Sequence, residues 1–190
     1  MSNKIYLFRH GQSQWNKRHI FTGWANPDLT ELGVKQAVEI GIKLKEIPID
    51  LAYTNEHIRC RRTLALALQY HVEVPVHIDQ RLNERDYGDL SGTSKDDYEF
   101  KHGKKALQKI RRSYDYPPPK GESLKMVEQR VNPFIEELLE TIKKDQVNVL
   151  ICASGNSMRP FRKRFENLTN DQMATLENPL DDYFEYQIEA

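Results

Sequence analysis

"VNVLICA", residues 147–153, is apolar at every position except Asn148. A strand whose successive residues are apolar, instead of alternating with polar ones, is typical of a strand covered on both faces. Such strands occur mainly in parallel sheets that carry helices on either side. The stretch therefore favours an α/β fold.

Three further runs are strand candidates: "KIYLF" at 4–8, "DLAY" at 50–53 and "VPVHI" at 74–78. Helix-period stretches lie between the strand candidates. Their apolar stripes are formed by Val34, Ala37, Val38, Gly41 and Leu44 in one helix, and by Leu124, Val127, Val131, Phe134, Leu138 and Ile142 in another. Thr30 is a suitable N-cap for the first, and "TNDQ" at 169–172 has capping-box spacing for a short late helix. Pro133 is expected to bend the second helix or to end its first segment.

Strands that alternate with helices predict a mostly parallel central sheet flanked by helices on both faces. A length of 190 residues suits a single domain, which we place at 1–190. The stretch 79–122 is rich in charge, runs into "YPPPKGES" and shows little core periodicity. We interpret it as an inserted cap segment that lies over the sheet and the active site.

The chain carries 28 basic and 28 acidic side chains. No net field therefore favours nucleic acid or an anionic membrane as a partner. Cys60 and Cys152 lack a C-x-x-C spacing and fit a reduced chain better than a disulfide framework. The N-terminus has no signal-peptide apolar core, and no apolar run approaches 18 residues, so we expect a cytoplasmic protein.

Polar residues follow two of the strand candidates directly. Arg9, His10 and Gly11 follow "KIYLF", and "SGNS" at 154–157 follows "VNVLICA". Ligands of open α/β sheets bind beyond the carboxyl ends of the strands, so these residues predict one shared pocket. Ser157 is expected to cap the following helix and to direct its N–H groups at an anion.

His10 alone is compatible with a histidine that is merely hydrogen-bonded at a strand end. Its neighbours favour a nucleophile on phosphorus: Arg9 can hold phosphoryl oxygens, Gly11 lets a ligand approach the backbone, and Asn16 is close. A phosphohistidine intermediate would divide one transfer into two steps. The other histidines show no metal-binding spacing with His10, which argues against a metal.

Six segments match, in order, the pattern of one enzyme family. They are "LFRHGQSQWN" at 7–16, "FTGW" at 21–24, "DLTELGVKQA" at 28–37, "LNERDYGDLSG" at 82–92, "GES" at 121–123 and "GNSMR" at 155–159. With them the chain resembles the cofactor-dependent phosphoglycerate mutases of the histidine phosphatase superfamily over nearly its whole length. Arg-His-Gly marks only the superfamily, whereas "QSQWN", "FTGW" and "LNERDYG" together are much more specific to the mutases.

The resemblance implies roles for individual residues. His10 would accept the phosphoryl group, Arg9 and Arg59 would hold it, and Glu84 would be the general acid/base that moves the proton of the substrate hydroxyl. Arg59 lies in "YTNEHIRCRRTL" (53–64), which is similar to the family's Tyr-Thr-Ser-x-Leu-x-Arg-Ala-x-x-Thr-Leu. Substrate contacts are implied for Asn16, Thr22, Gly23, Arg85, Tyr87, Lys95, Arg111, Arg112, Gly155 and Asn156. The alternatives are an exposed helix arginine for Arg59, a solvated loop carboxylate for Glu84 and a basic helix face for Arg111 and Arg112.

The chain departs from the family at two positions. Ser154 stands in "ASGNS" where the mutases have Ala-His-Gly-Asn-Ser, so the family's second histidine is replaced. Loss of one preorganised donor typically lowers a rate about 10²–10³-fold. His57 stands where the family has leucine, and the sequence alone does not show whether it reaches the site.

Three functional hypotheses follow. The first is a phosphoglycerate mutase that interconverts 2-phosphoglycerate and 3-phosphoglycerate through phospho-His10, with activity reduced by Ser154. It implies 2,3-bisphosphoglycerate as a primer, no metal, and a homo-oligomer as in similar mutases. The second is a broad histidine phosphatase, against which "FTGW", "NERDYG" and Lys95 argue. The third is a catalytically silent protein that binds a phosphorylated ligand, which Ser154 alone supports.

Overall fold

The computed structural model describes residues 3–189, and within them a central sheet is flanked by helices on both faces. The strands are β1 (Asn3–Arg9), β2 (Leu51–Thr54), β3 (Val76–Ile78), β4 (Val149–Ala153) and β5 (Tyr183–Ile188). Their order across the sheet is β3-β2-β4-β1-β5, and β5 alone among these strands runs antiparallel. The predicted α/β fold with a mostly parallel sheet is confirmed.

Helices alternate with the parallel strands along the chain. Two further helices lie within the cap segment, and two follow β4. They are α1 (Gln14–Lys17), α2 (Glu31–Leu44), α3 (Ile58–Ala67), α4 (Lys95–His102), α5 (Lys104–Arg112), α6 (Leu124–Asp145), α7 (Arg159–Phe165) and α8 (Asn170–Thr175). Thr30 caps α2 through its hydroxyl, and Thr169 and Gln172 form the predicted capping box of α8. No helix in residues 3–189 is both long and apolar enough to cross a membrane.

Strand β4 is buried along its whole length, as its apolar sequence predicts. Val149 and Ile151 face the cluster formed with α6 and α7, whereas Leu150 and Cys152 face the cluster formed with α2 and α3. Because successive side chains point to opposite faces, one apolar run supplies both cores. The buried sheet fixes the positions of Arg9 and Ser154, which lie where β1 and β4 end.

Three details of the sequence-based prediction are refined or corrected by the structure. Of the two outcomes predicted for Pro133, an end to the first helical segment is not observed: α6 continues through Pro133, because its buried apolar face packs along the sheet on both sides of that residue. Ser157 does not cap α7: its hydroxyl accepts from Ser154 N–H and donates to the carbonyl of Leu82 at 2.8 Å. The third strand is confined to Val76–Ile78 and is an exposed edge.

The cap segment is more regular than its composition indicates. Helices α4 and α5 lie within 79–122, and a small cluster of Phe21, Tyr87, Leu107 and Ile110 packs beneath them. The prediction of little core periodicity was therefore wrong for α5, whose Leu107 and Ile110 are three residues apart and share a face. These helices bring basic side chains to the carboxyl edge of the sheet.

Candidate active site

A small cavity opens beyond the carboxyl ends of β1 and β4. The two strands end side by side, with Arg9 paired to Ala153 and the His10 N–H donating to the carbonyl of Ala153 at 3.1 Å. The cavity is lined by Arg9, Asn16, Thr22, Glu84, Tyr87, Lys95, Arg111, Arg112, Gly155, Asn156, Arg159, Leu176, Glu177 and Asn178. The strand ends and the cap segment thus enclose one site, which is rich in cations.

His10 directly follows Arg9, which lines the cavity, but its own ring is buried and is not among the lining residues; the ring is held in one tautomer. Its Nδ1 is 2.7 Å from the carbonyl oxygen of Gly11, which can only accept, so Nδ1 carries the hydrogen and Nε2 keeps its lone pair. Burial, together with the charges of Arg59 and Arg9, lowers the pKa of His10 well below its usual value. His10 is therefore a neutral imidazole at neutral pH, which is the form that a nucleophile requires.

The cations beside His10 suit a phosphorylated anion. Arg9 is the clearest case, because its Nε is buried and has no hydrogen-bond partner within residues 3–189. A side chain at position 155 would come within 3.1 Å of that atom, so Gly155 keeps the space beside Arg9 open. A ligand oxygen of a bisphosphorylated primer or substrate can satisfy such a donor, so the residues fit that group.

Lys95 is at the first position of α4 and extends over the Phe21 ring, with Nζ 5.6 Å from the ring centre. Burial, with the charges of Arg111 and Arg9, lowers the pKa of Lys95 from 10.5 to about 8. The ammonium form is thus retained at neutral pH but is lost at a pH much lower than for an exposed lysine.

This shift predicts an alkaline limb in activity. Below about pH 8 Lys95 is protonated and attracts an anionic substrate; as the pH rises through about 8 that attraction is lost, so kcat/KM should fall. The pH profile of kcat/KM measures this directly. Lys95→Arg should shift the limb upward because a guanidinium stays charged, and an unchanged limb in that variant would assign it to another group.

Glu84 is held from several sides. Its main-chain carbonyl accepts from Trp24 Nε1 at 2.8 Å and from Arg130 Nη2 at 3.1 Å, and its Oε1 accepts from the Arg85 N–H at 2.7 Å and the Asn156 N–H at 3.2 Å. Burial by itself raises its pKa, but these hydrogen bonds and the charges of Arg59 and Arg9 outweigh burial and hold the pKa below its usual value. Glu84 is thus a fixed, ionised carboxylate that can accept a proton.

Five of the predicted site residues do not line the cavity: His10, Gly23, Arg59, Arg85 and Ser154. The Arg85 guanidinium is fully buried and donates to the main-chain carbonyls of Glu122, Ile110 and Tyr116, at 2.6, 2.9 and 3.1 Å. Its hydrogen bonds hold the cap segment together, and it does not reach the cavity. Gly23 likewise contributes its carbonyl, which accepts from Arg59 at 3.2 Å, and its φ of +53° favours glycine.

Arg59 lies close enough to lower the pKa of His10, but its terminal nitrogens are engaged elsewhere. Nη1 donates to the carbonyl of Ala25 at 2.8 Å and Nη2 to that of Gly23. The arginine therefore ties the "FTGW" loop to α3. Whether its remaining donors also hold a phosphoryl group stays a prediction.

The Arg59 guanidinium is a planar fork that donates to two main-chain carbonyls, so we expect Arg59→Lys to impair the enzyme. A single ammonium cannot reproduce both hydrogen bonds, so we expect at least a tenfold loss of kcat/KM, about 1.4 kcal/mol. Arg61 and Arg62 are exposed residues of the same helix, and Arg61→Lys is the matched control. Equal kinetics in the Arg59 and Arg61 variants would remove Arg59 from the site.

Comparison with known proteins identifies the family. The profile of the Histidine phosphatase superfamily (branch 1) matches residues 5–186. The chain belongs to this superfamily. A 2,3-bisphosphoglycerate-dependent phosphoglycerate mutase from Parvibaculum lavamentivorans is 45% identical over 93% of this chain and 86% of its own. The resemblance to the cofactor-dependent phosphoglycerate mutases is thus confirmed.

Solved histidine phosphatases share the fold. The α-ribazole phosphatase of Shigella flexneri has a TM-score of 0.83 at 25% identity and covers 96% of this chain and 89% of its own. The phosphoglycerate mutase of Bacillus anthracis has a TM-score of 0.79 at 24% identity and covers 98% and 89%. At these identities the likeness establishes the architecture of a histidine phosphatase.

The Ser154 hydroxyl contacts other buried side chains. It is fully buried and does not line the cavity. Its Oγ accepts from Asn55 Nδ2 at 3.3 Å and lies 3.5 Å from Cys60 Sγ. Asn55 and Cys60 occupy positions where the family pattern has the smaller Ser and Ala. The serine hydroxyl is therefore part of an interior polar contact.

His57 does not line the cavity. It precedes α3, is buried, and accepts at Nδ1 from Arg59 Nη2 at 3.4 Å. Burial and the charge of Arg59 lower the pKa of His57 to about 4, so it is neutral at neutral pH. The side chain supports Arg59, and it is not among the cavity-lining residues.

Sequence reasoning missed four residues that line the cavity: Arg159, Leu176, Glu177 and Asn178. Arg159 closes the "GNSMR" motif, which was a usable signal. The segment 176–178 had none, because its position depends on hydrogen bonds such as that from Arg159 Nη2 to the Leu176 carbonyl at 2.8 Å. Within the described residues, no group of three or more His, Cys, Asp or Glu is arranged to hold a metal ion.

Proposed function

We propose that the protein is a 2,3-bisphosphoglycerate-dependent phosphoglycerate mutase that interconverts 2-phosphoglycerate and 3-phosphoglycerate through phospho-His10. The observation that carries this function is the state of His10: a neutral imidazole whose Nε2 keeps its lone pair, adjacent in the chain to Arg9 of a cation-lined cavity that also contains the ionised carboxylate of Glu84. Curated relatives at about 45% identity, over most of their length, carry this name. A nucleophile, a base and anion-binding cations are the groups that this reaction needs.

Each residue has a defined step in the proposed mechanism. Phospho-His10 transfers its phosphoryl group from Nε2 to the free hydroxyl oxygen of the bound monophosphate, while Glu84 accepts the hydroxyl proton. The other phosphoryl group of the resulting bisphosphate then passes to His10 Nε2, and Glu84 returns the proton to the oxygen that it leaves. Arg9, Lys95, Arg111 and Arg112 hold the charged oxygens throughout.

A coupled assay with enolase tests this function. Conversion of 3-phosphoglycerate should require catalytic amounts of 2,3-bisphosphoglycerate, because unphosphorylated His10 has no phosphoryl group to give. The rate should be the same in the presence of a chelator. Activity that needs manganese and ignores the bisphosphate would contradict the mechanism.

Release of inorganic phosphate distinguishes the alternative within the superfamily. A broad phosphatase would hydrolyse many phosphate esters and leave the two phosphoglycerates unequilibrated. Binding of 3-phosphoglycerate without turnover or phosphorylation would instead indicate a silent ligand-binding protein. The mutase mechanism predicts isomerisation much faster than phosphate release.

The proposal extends to the domain organisation, location and oligomeric state of the enzyme. We propose a single domain with 79–122 as its cap, and a cytoplasmic location, which the free Cys60 and Cys152 and the small phosphorylated substrate support. A homo-oligomer is proposed from the likeness to other mutases, and light scattering at micromolar concentration would measure it.

A further inference from the structure

A carboxylate from outside the predicted site lies at the cavity. Glu177 forms an ion pair with Arg112, and both side chains line the cavity. They differ in exposure, since 78% of the Glu177 side chain but only 15% of the Arg112 side chain is accessible to water. The pair therefore joins an enclosed cavity cation to a carboxylate that keeps its access to solvent.

The main chain beneath Glu177 is held firmly. The Glu177 carbonyl accepts from Arg162 Nη1 at 2.8 Å, the Leu176 carbonyl accepts from Arg112 Nη1 at 3.0 Å, and Asn178 Nδ2 donates to the Gly155 carbonyl at 2.7 Å. Arg112 therefore stays anchored by Leu176 if Glu177 leaves it. A rotation of the Glu177 side chain alone is enough to uncover Arg112 Nη2, the nitrogen that pairs with Glu177.

The charge of Glu177 acts on more than one cavity cation. Burial lowers the pKa of Arg9, and it lowers the pKa of Arg159 to about 10; the negative charge of Glu177 opposes the lowering at both. Glu177 thus reduces the positive field that draws an anion into the cavity. Glu84 also contributes negative charge there, but it is buried and fixed by hydrogen bonds, whereas the Glu177 side chain is mostly exposed to solvent.

We propose that Glu177 is a built-in competitor of the ligand: its carboxylate covers Arg112 in the free protein and is displaced when an anionic group of the ligand binds there. Glu177 is a specificity-determining residue and touches no reacting atom. It weakens binding most for the ligand with the most negative charge. The inference rests on the proposed function only for the choice of phosphoglycerates as ligands.

Glu177→Gln tests the proposal, because it keeps the shape of the side chain and removes its charge. Calorimetry at low salt should show the Kd of 3-phosphoglycerate falling by about two- to fivefold, the range of a solvent-exposed ion pair. The gain should be larger for 2,3-bisphosphoglycerate and smaller for inorganic phosphate, and should shrink as salt is added. In the coupled assay KM should fall and kcat should not rise.

Glu136→Gln is the matched control, since Glu136 also pairs with an arginine, Arg164, but away from the cavity. It should leave every Kd unchanged. Glu177→Asp keeps the charge but shortens the reach to Arg112, and should lie between the parent and Glu177→Gln. Unchanged or weaker binding in Glu177→Gln, or the same gain for all three ligands, would overturn the proposal. Tighter, charge-ordered binding in a protein without mutase activity would support it and refute the proposed function instead.

Discussion

Glu84→Gln should lower kcat by about 10²–10⁴-fold and leave KM nearly unchanged, because the amide keeps the shape of the carboxylate but cannot accept a proton. The carboxylate is ionised in the free enzyme and is fixed by the N–H groups of Arg85 and Asn156. Steady-state kinetics in the coupled assay measure both parameters. The main-chain carbonyl of Glu84, which Trp24 and Arg130 hold, is unaffected by the change.

Glu56→Gln is the control for Glu84. Glu56 is a nearby exposed carboxylate that accepts from Asn83 Nδ2 at 3.1 Å and does not line the cavity. Its amide variant should retain the activity of the parent. A loss of less than tenfold in Glu84→Gln would show that another group moves the substrate proton.

Ser154→His should raise turnover by about 10²–10³-fold if the parent enzyme lacks one preorganised donor at the phosphoryl group. The size of this gain depends on the space around residue 154. An imidazole that follows the present direction of the Ser154 side chain would meet Asn55 and Cys60, which already lie 3.3 and 3.5 Å from Oγ. The triple variant with Asn55→Ser and Cys60→Ala should therefore recover more activity than Ser154→His alone.

Single-turnover transfer from phosphorylated enzyme to 3-phosphoglycerate measures the effect at the chemical step. The double variant Asn55→Ser, Cys60→Ala with Ser154 retained is the control, and it should stay as slow as the parent. A parent that is already fast, with no gain in the triple variant, would show that transfer does not need a histidine at position 154. Neither form turning over, although both bind the ligand, would identify a silent binding protein.

The elements that the sequence predicts well are those whose apolar pattern records their burial. Strand β4 is apolar at successive positions and is covered on both faces, and Arg9 and His10 follow β1 at the edge where ligands bind. Strand β5 was missed although the sequence carries a signal for it: residues 184–188, "FEYQI", alternate apolar and polar side chains, which is the pattern of an antiparallel strand with one face exposed.

The site was predicted less completely, because the local sequence does not show which way a side chain points or which residues far along the chain it contacts. Arg85 carries the expected motif, yet its guanidinium is buried among main-chain carbonyls of the cap segment. The hydroxyl of Ser154 faces Asn55, a contact across 99 positions of sequence. Glu177 reaches the cavity through a segment that Arg159 and Arg162 hold from α7. None of these directions is encoded by local periodicity.

Phosphorylation of His10 by 2,3-bisphosphoglycerate is the most direct test of the mechanism. The parent protein, incubated with the bisphosphate in chelator, should acquire an acid-labile, alkali-stable phosphate on the peptide that contains His10, and should lose it to added 3-phosphoglycerate. His10→Gln should acquire none. Absence of the label from the parent, or equal labelling of the two proteins, would contradict transfer through phospho-His10.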